Sequence, residues 1–329
     1  MQLAELGEWE LLRRLSAFAP AGQLEDDAAL LSERSGRTLV INTDVLVEGV
    51  HFSDATVSAR NLGWRAAAAN LSDLAAMGST SVAGITVGLV APGETPWRWV
   101  EQVYEGFAEA LERFGGVLLG GDCSSGVQRL LAITALGHLG NGSIRRGDGR
   151  PGDWLICSGP HGLSRLGLAL LQNTYPEDQR THLSQTLQAE AIRAHQRPIP
   201  RLDVVQQLNA LQPPESPWRV GGTDSSDGLH LAVHNIARAS GCAASLERAA
   251  LPMAAEFTAV PWAEDWCLSG GEDFELVLAL EPSWAEALCS QMPGCTHIGY
   301  LVAGEGGSVS WAEDGKRLDP STGGYCHFQ

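Results

Sequence analysis

The chain has 329 residues, of which 44% are hydrophobic and 19% are charged, and its formal net charge is −17. This length is typical of about two domains. A broad nucleic-acid interface is not expected in so acidic a chain, because contacts to a phosphate backbone need a basic face.

The cysteines and the N-terminus bear on the cellular compartment. Seven cysteines are widely spaced and form no C-x-x-C pair. An odd set of isolated thiols is typical of a reducing compartment rather than of a disulfide framework or a zinc site. Glu5, Glu8 and Glu10 interrupt any apolar core of a signal peptide, and no apolar run approaches the roughly 18 residues that span a bilayer. We therefore expect a soluble, cytoplasmic protein.

The first half of the chain alternates predicted helices and strands. Apolar residues from Leu3 to Leu15 recur at helical spacing. A β-rich run over 37–43 then delivers Asp44 at its end. An Ala-rich helix is predicted over 57–77, a strand over 82–90 and a second helix over 96–114. Short apolar strands follow over 117–119, running into Gly120-Gly121-Asp122, and over 130–136.

A polar Gly/Pro stretch over 145–153 has no periodicity, so we place the domain boundary there and predict domains of residues 1–148 and 149–329. The second half predicts a strand over 154–157 and helices near 162–172, 184–194 and 200–211. Ser225-Ser226-Asp227 is expected to cap a further helix, and a strand over 274–280 follows Gly270-Gly271-Glu272-Asp273. The tail from about 304 is expected to be irregular. Mixed elements in two halves favour α/β or α+β layering.

Aspartates recur in short clusters, most of which contain or adjoin glycine or serine. Small residues beside carboxylates at element ends are typical of a site that holds Mg²⁺ against a polyphosphate, because Mg²⁺ prefers oxygen ligands and keeps much of its water shell. Neither a G-x-x-x-x-G-K-[ST] motif nor the H-R-D and D-F-G pair of protein kinases is present. The clusters are Asp26-Asp27, Thr43-Asp44, Ser72-Asp73, Gly121-Asp122, Asp224-Ser225-Ser226-Asp227 and, as a mixed sixth, Gly270-Gly271-Glu272-Asp273.

Two of these clusters carry the strongest local signals. Asp73 lies near the C-terminal end of a predicted helix, where the macrodipole disfavours an acid by up to about 1 kcal/mol. This placement favours an external cation, although a solvent-exposed Asp73 is the alternative. In the Asp224–Asp227 segment, two carboxylates flank a predicted helix start whose amides favour anions. Plain N-capping explains only one of these two acids.

Elsewhere the structural alternatives stay open. A bare Gly-Gly-Asp is a weak signal, although two glycines let backbone amides approach a phosphate closely. Asp44 could equally be a turn residue without a ligand. Arg146 could bind phosphate in a bidentate manner, or it could be a solvated charge in the linker. A lone histidine such as His51 is usually structural, and most aromatic residues, Tyr104 and Tyr325 included, belong to a core.

Longer strings around these acids resemble the thiamine-monophosphate kinase family, which belongs to the ATP-binding superfamily of aminoimidazole ribonucleotide synthetase and selenophosphate synthetase. The strings T-D-V-L-V-E-G-V-H-F from Thr43 and N-L-S-D-L-A-A-M-G from Asn70 are specific to the kinase branch. The remaining strings mark only the superfamily. All of them occur in family order between residues 26 and 276.

The resemblance implies a two-domain PurM-like fold, with a mixed-sheet N-terminal domain that forms a barrel with a second copy and an α+β C-terminal domain. It also implies an enzyme that uses ATP to convert thiamine monophosphate into thiamine diphosphate, the last step of that biosynthesis, with several Mg²⁺ ions. The acceptor would be an ionised phosphate oxygen, so no general base is needed and in-line transfer is expected to be direct. The resemblance also implies a homodimer. Because metal ions and the positioning of the substrates would drive the transfer, we expect no catalytic side chain.

The resemblance also assigns individual residues. Metal positions fall on Asp27, Asn42, Thr43, Asp44, Asp73, Asp122, Asp224 and Asp227, ATP positions on Tyr104, Gly121, Asp122, Arg146 and Ser226, and substrate positions on His51, Glu272 and Tyr325. The chain departs from the family at three positions. Glu25 stands where the family usually has glycine, Asn42 where it has serine or threonine, and Phe274 where tyrosine is common. The residues after Asp122 lack the usual Thr-Thr-Arg, which leaves Arg146 or Arg129 as the substitute phosphate contact.

Two other functions stay open on the sequence. One is a cyclo-ligase of the same superfamily, which uses ATP to activate an amide oxygen. The other is a catalytically silent paralogue that only binds nucleotide. The kinase-specific strings argue against the first. The full set of mutually repelling carboxylates argues against the second, because a protein that only binds gains little from them.

Overall fold

The computed structural model describes residues 14, 16–18, 37–214 and 216–318, and the chain divides into two compact units. The first unit runs up to Leu74 and resumes over Ser81–Leu139, and the second comprises Ala75–Thr80 and the chain from Gly140 onward. Residues 140–148, which the sequence analysis assigned to the first domain, lie in the second unit. The predicted opening helix, Asp27 and Tyr325 lie outside the described residues.

The first unit is built on a four-stranded sheet of order β1-β4-β2-β3. Strand β1 pairs antiparallel with β4, and β2 pairs parallel with β3. The predicted strands and helices between residues 37 and 136 are confirmed. Their bounds are β1 (Leu39–Val47), α1 (Ala59–Ala76), β2 (Ser79–Ala91), α2 (Trp97–Phe114), β3 (Val117–Ser125) and β4 (Leu130–Leu139).

Two details of this unit differ from the sequence prediction. Asp44 lies in the middle of β1 rather than at its end, because the strand continues to Val47. Strand β3 runs through Gly120-Gly121-Asp122 as far as Ser125, since those residues pair with β2. Backbone pairing therefore extends both strands past the residues whose local preferences suggest an end.

Helices α1 and α2 contact each other backbone to backbone. A Cβ atom at Gly63 would lie 1.9 Å from the Val103 carbonyl oxygen, and one at Gly106 would lie 2.0 Å from the Arg60 carbonyl oxygen. The helices cover one face of the sheet, where Leu71 of α1 packs in a core with side chains of β2 and β4. The other face of β1 leaves apolar side chains in solvent, Ile41 with 64% exposure and Val45 with 44%.

The second unit is built on a six-stranded sheet of order β10-β7-β9-β5-β8-β6. Its neighbouring strands are antiparallel except for the parallel pair β10 and β7. Its strands are β5 (Trp154–Cys157), β6 (Gly221–Asp224), β7 (Ala243–Leu246), β8 (Leu276–Leu280), β9 (Thr296–Val302) and β10 (Val309–Trp311). Its helices are α3 (Leu163–Leu171), α4 (Glu177–Arg180), α5 (Gln185–Gln196), α6 (Leu202–Ala210), α7 (Leu229–Ala239), α8 (Ala263–Ser269) and α9 (Pro282–Gln291).

Most of the predicted elements of this half are confirmed, with two corrections. Helix α7 begins at Leu229 after Gly228, which has φ 113° and makes no side-chain cap bond, so Ser225-Ser226-Asp227 does not cap it. The tail that was expected to be irregular contains β10, which pairs with β7. Helix α7 packs on the sheet through Leu229, Val233 and Ile236. No helix within the described ranges is long and apolar enough to cross a membrane.

Candidate functional site

A cluster of polar side chains joins β1 to α1 in the first unit; we call Asn42, Asp44, Asn70 and Asp73 the β1–α1 cluster. Asn42 donates from Nδ2 to Asp73 Oδ2 over 2.9 Å and to Asn70 Oδ1 over 3.2 Å. The backbone N–H of Asp44 donates to the same Asn70 oxygen over 3.2 Å. Asn70 is fully buried and donates from Nδ2 to the Ala66 carbonyl oxygen, 2.9 Å away. Asn70, to which the sequence analysis gave no role, therefore holds the strand to the helix.

The same cluster contains an acceptor that suits a cation. Asn42 Oδ1 is buried and accepts no hydrogen bond, although an unmade bond at a buried polar atom is costly. Amide and carboxylate oxygens are the ligands that Mg²⁺ prefers. Within the described ranges, no three His, Cys, Asp or Glu side chains converge as a metal site. The cluster therefore supplies part of a ligand set, and Asp27, which the sequence analysis added to it, lies outside those ranges.

The side chain of Thr43 does not belong to this cluster. Successive side chains of a strand point to opposite faces of the sheet, so Asn42 and Asp44 face α1 and Thr43 faces away. The Thr43 hydroxyl instead lies 2.8 Å from the Thr134 hydroxyl on β4. The predicted metal role of a Thr43 hydroxyl is therefore not supported by the geometry of the first unit.

Gly121 and Asp122 lie on the strand at the far edge of the sheet from β1. Two strands separate β3 from β1, which corresponds to about 14 Å at the usual strand spacing. A Cβ atom at Gly121 would lie 2.0 Å from the Val87 carbonyl oxygen, so the strand pairing itself requires glycine there. Asp122 is exposed. Within the first unit, neither residue joins the β1–α1 cluster.

Tyr104, a predicted ATP contact, lies in the core of the first unit. Its side chain is only 4% exposed, and its ring stands edge-on to Phe107 with the ring centroids 5.6 Å apart. Burial raises the pKa of its hydroxyl well above the usual range. So little exposed surface leaves little of the ring for a nucleotide in this structure, and the ATP role of Tyr104 stays a prediction.

His51 and Arg129 lie near the turn that follows β1. His51 Nδ1 accepts a hydrogen bond from the backbone N–H of Val47 over 3.0 Å, which leaves the proton of a neutral imidazole on Nε2. Arg129 donates to both carboxylate oxygens of Asp54, over 3.1 and 2.9 Å, and also to Glu48. The hydrogen bond from Arg129 lowers the pKa of Glu48. Because its guanidinium pairs with two carboxylates, Arg129 is a poor substitute for the missing phosphate contact.

In the second unit, two segments that are distant in sequence meet at one end of β6 and β8. Asp224 ends β6 and pairs in register with Leu276 of β8. The Ser226 hydroxyl donates to Asp224 Oδ1 over 3.2 Å, and the Ser226 carbonyl accepts from the N–H of Glu272 over 2.6 Å. Asp224 is 8% exposed, whereas Asp227 is exposed. The structure therefore brings together Asp224, Ser226 and Glu272, to which the family resemblance assigns metal, ATP and substrate roles.

The loop that carries Glu272 has a strained backbone. Gly271, Glu272 and Phe274 have φ values of 66°, 61° and 53°. For a residue other than glycine, this conformation costs about 1–2 kcal/mol. The Asp273 carboxylate accepts hydrogen bonds from the N–H groups of Gly162 over 2.8 Å and Ser164 over 3.1 Å, at the start of α3. Burial raises the pKa of Asp273 to about 7, and these two N–H groups oppose the rise.

A buried histidine contacts the Asp224–Asp227 segment through the Ser225 hydroxyl. The Ser225 hydroxyl donates its proton to the Glu275 carbonyl oxygen over 3.0 Å, and His161 Nε2 lies 2.8 Å from the same hydroxyl. His161 is fully buried, and burial lowers its pKa to about 4, so it is neutral near pH 7. Sequence analysis missed this contact, because nothing in the local pattern connects residue 161 with residue 225.

Arg146 also lies beside β6. Its Nε donates to the Thr223 hydroxyl over 3.2 Å, one residue before Asp224, while the residue as a whole remains exposed. Planar guanidinium groups bind phosphate in a bidentate manner. The second unit thus anchors the Arg146 guanidinium at the residue that precedes Asp224, and its phosphate contact stays a prediction.

Comparison with known proteins identifies the family. The models for AIR synthase related protein, N-terminal domain and C-terminal domain, match residues 25–139 and 150–312. A thiamine-monophosphate kinase of Prochlorococcus marinus is 49% identical over 302 residues, which cover 92% of this chain and 90% of that protein. The chain belongs to the thiamine-monophosphate kinase family.

Solved structures of thiamine-monophosphate kinases have the same fold. The enzyme of Stenotrophomonas maltophilia K279a matches with a TM-score of 0.77 at 31% identity, over 97% of this chain and 99% of that one. AaThiL complexed with AMPPCP and TMP matches with a TM-score of 0.76 at 28% identity, over 100% and 99% of the two chains. The two-domain, mixed α/β PurM-like fold expected from the sequence is confirmed.

Proposed function

We propose that this chain transfers the γ-phosphoryl group of ATP to the phosphate of thiamine monophosphate, giving ADP and thiamine diphosphate as the last step of that biosynthesis. Family membership supports the reaction, as does the relative complexed with AMPPCP and TMP. The observation in this chain that carries the proposal is the buried, unpaired Asn42 Oδ1 beside Asp44 and Asp73. Such an arrangement suits a hard cation that accompanies a polyphosphate.

Several Mg²⁺ ions are part of the proposal. Asn42, Asp44 and Asp73 of the first unit would hold metal through oxygen atoms, as would Asp224 and Asp227 of the second unit. We retain Asp27 and Asp122 as ligands on the resemblance alone. Bound Mg²⁺ supplies charge that offsets the repulsion between two anionic phosphates.

The chain's own residues bind and orient the reactants. An ionised phosphate oxygen is already a nucleophile near neutral pH, so no side chain has to remove a proton from it. Arg146 would grip a phosphate of ATP, and the amides near Gly121 and Ser226 would lie against the polyphosphate. Alignment and charge stabilisation then account for the rate, and transfer is direct and in line.

Three residues are proposed to recognise thiamine monophosphate. His51 presents an Nε2 proton that suits a phosphate oxygen, because its Nδ1 accepts from Val47. Glu272, whose side chain is 38% exposed, would face the cationic thiazolium ring. Tyr325 remains the proposed stacking partner of a substrate ring.

We further propose that the chain is a homodimer. The face of β1 that lies opposite the helices exposes Ile41 and Val45, which are 64% and 44% exposed. A second copy of this sheet is the occupant we propose, since two such faces would enclose each other's apolar side chains in a barrel-like interface. The cysteines of the described ranges are free thiols, which fits the cytoplasm as the proposed location.

One assay separates the alternatives. ATP consumption is measured with thiamine monophosphate and, separately, with an amide substrate of the cyclo-ligase type. Turnover with thiamine monophosphate alone supports the proposal. Turnover with the amide, or nucleotide binding without turnover, would support a cyclo-ligase or a silent paralogue. With a chiral γ-phosphate, direct transfer inverts the configuration at phosphorus, and net retention would indicate a phosphoenzyme.

A further inference from the structure

Helices α3 and α5 of the second unit pack closely around one glycine. A Cβ atom at Gly167 would lie 2.1 Å from the Ala191 carbonyl oxygen, so the two backbones touch there. Ser164 precedes Gly167 by one helical turn, and His195 follows Ala191 by one turn. In this antiparallel pair the two side chains therefore meet, with Ser164 Oγ 3.3 Å from His195 Nδ1.

The buried imidazole of His195 also contacts Glu272. The distance from His195 Nδ1 to Glu272 Oε2 is 3.5 Å. His195 is 3% exposed and Ser164 is fully buried, whereas the side chain of Glu272 is 38% exposed. One oxygen of the Glu272 carboxylate thus lies against a buried polar group, while the side chain as a whole is open to solvent.

The start of α3 holds the same loop by its backbone. The Ser164 N–H donates to Asp273 over 3.1 Å, and the N–H of Glu272 donates to the Ser226 carbonyl oxygen over 2.6 Å. A left-handed backbone such as that of Glu272 persists only where its surroundings hold it. Ser164 therefore acts twice, through its amide on Asp273 and through its hydroxyl beside His195.

We infer that His195 is a positioning residue for substrate recognition, holding the Glu272 carboxylate in the rotamer that faces the cationic ring of thiamine monophosphate. The inference rests on the proposed function and on the role proposed there for Glu272. His195 is too buried to touch the substrate itself. Without its contact, the long side chain of Glu272 loses one of the groups that restrict its rotamers, and binding must then supply that restriction. The loss falls on recognition of the thiamine moiety and leaves ATP binding unchanged.

The test compares His195→Leu with His195→Asn, because the asparagine amide nitrogen lies near the position of Nδ1. For H195L we expect the KM for thiamine monophosphate to rise about 10-fold, with the KM for ATP and kcat within about twofold of the parent protein. H195N should recover most of the lost affinity. The matched control is His182→Asn, at an exposed histidine in the turn before α5, which should match the parent.

A neutral-ring substrate gives the decisive readout. The parent should prefer thiamine monophosphate over its analogue with a thiophene in place of the thiazolium, and Glu272→Gln and H195L should both reduce that preference. If thermal melting shows that H195L is unfolded, Ser164→Ala carries the test, with an expected rise of about threefold in the KM for thiamine monophosphate.

An unchanged KM and an unchanged ring preference in a folded H195L or S164A protein would overturn the inference. A parent protein that never turns over thiamine monophosphate would instead overturn the proposed function.

Discussion

Asn42 and Asp73 are 31 residues apart and are joined by a hydrogen bond of 2.9 Å from Nδ2 to Oδ2. The bond connects the middle of β1 to the last turn of α1 and places an acid where the helix dipole disfavours it. One amide group thus orients a carboxylate while its own oxygen remains buried without a hydrogen-bond partner. The chain tolerates this local cost, which is expected where a cation binds.

Removing a negative charge from the β1–α1 cluster should slow the reaction strongly without unfolding the protein. Asp44→Asn and Asp73→Asn keep the shape of each side chain, so we expect kcat/KM for both substrates to fall on the order of 100-fold or more. Steady-state kinetics over a range of Mg²⁺ concentrations, together with thermal melting, measures this. Asp265→Asn, the same change at an exposed position of α8, is the matched control. Near-parental activity in D73N would remove Asp73 from the metal set.

Loss of Asn70 should destabilise the first unit. Asn70→Ala leaves the Asp44 N–H and the Asn42 amide without their buried acceptor, and an unmet buried polar group costs about 1–3 kcal/mol. Urea denaturation gives the change in the free energy of unfolding. Glu112→Ala, at an exposed position of α2, is the control and should change stability by less than about 0.5 kcal/mol. Equal effects in the two variants would contradict the central role of Asn70.

Burial of His161 predicts a specific dependence of stability on pH. Its pKa is about 4 in the folded protein against 6.5 for an ordinary histidine. Below pH 6.5 the histidine of the unfolded chain is protonated, whereas His161 in the folded protein stays neutral. Acidification therefore stabilises the unfolded state, and the stability of the folded protein falls from its value above that pH. The loss is about 1.4 kcal/mol per pH unit, or roughly 3 kcal/mol in total.

Urea denaturation from about pH 7 to about pH 5 compares the slopes of stability against pH. His161→Asn should have a shallower slope than the parent, whatever its absolute stability. His182→Asn, at an exposed histidine, should keep the parental slope. Parallel curves for H161N and the parent would show that His161 titrates normally in the folded protein.

A charge on the open face of β1 should separate the proposed dimer. Ile41→Glu places a carboxylate at a position that is 64% exposed in one copy, so the isolated unit should fold while association weakens by several kcal/mol. Sedimentation at several protein concentrations measures the change in mass. Val127→Glu, at a fully exposed loop position outside the sheet, is the control. A parent protein that sediments as a monomer, or a dimeric I41E, would refute the interface.

Local patterns in the sequence predicted the longer elements and the acidic clusters correctly. Helix α1 is Ala-rich and α2 has a regular apolar stripe. Both helices are long enough for such a pattern to repeat several times, which makes a helix recognisable from sequence. The strings around Asp44 and Asp73 gave the family, which the comparisons confirm. Short strands such as β6 and β10, with four and three residues, repeat no pattern and went unpredicted.

By itself, then, the sequence determined the family, the main helices and strands, and which carboxylates to examine, because these are encoded within single segments. Only the tertiary structure decided which of those residues meet. Strand register turned Thr43 away from Asp44, sheet order separated Asp122 from both, and core packing enclosed Tyr104. The contacts of Ser225 with His161 and of Glu272 with His195 depend on pairing between distant segments. Such pairing follows from the packing of whole elements, which no local pattern records.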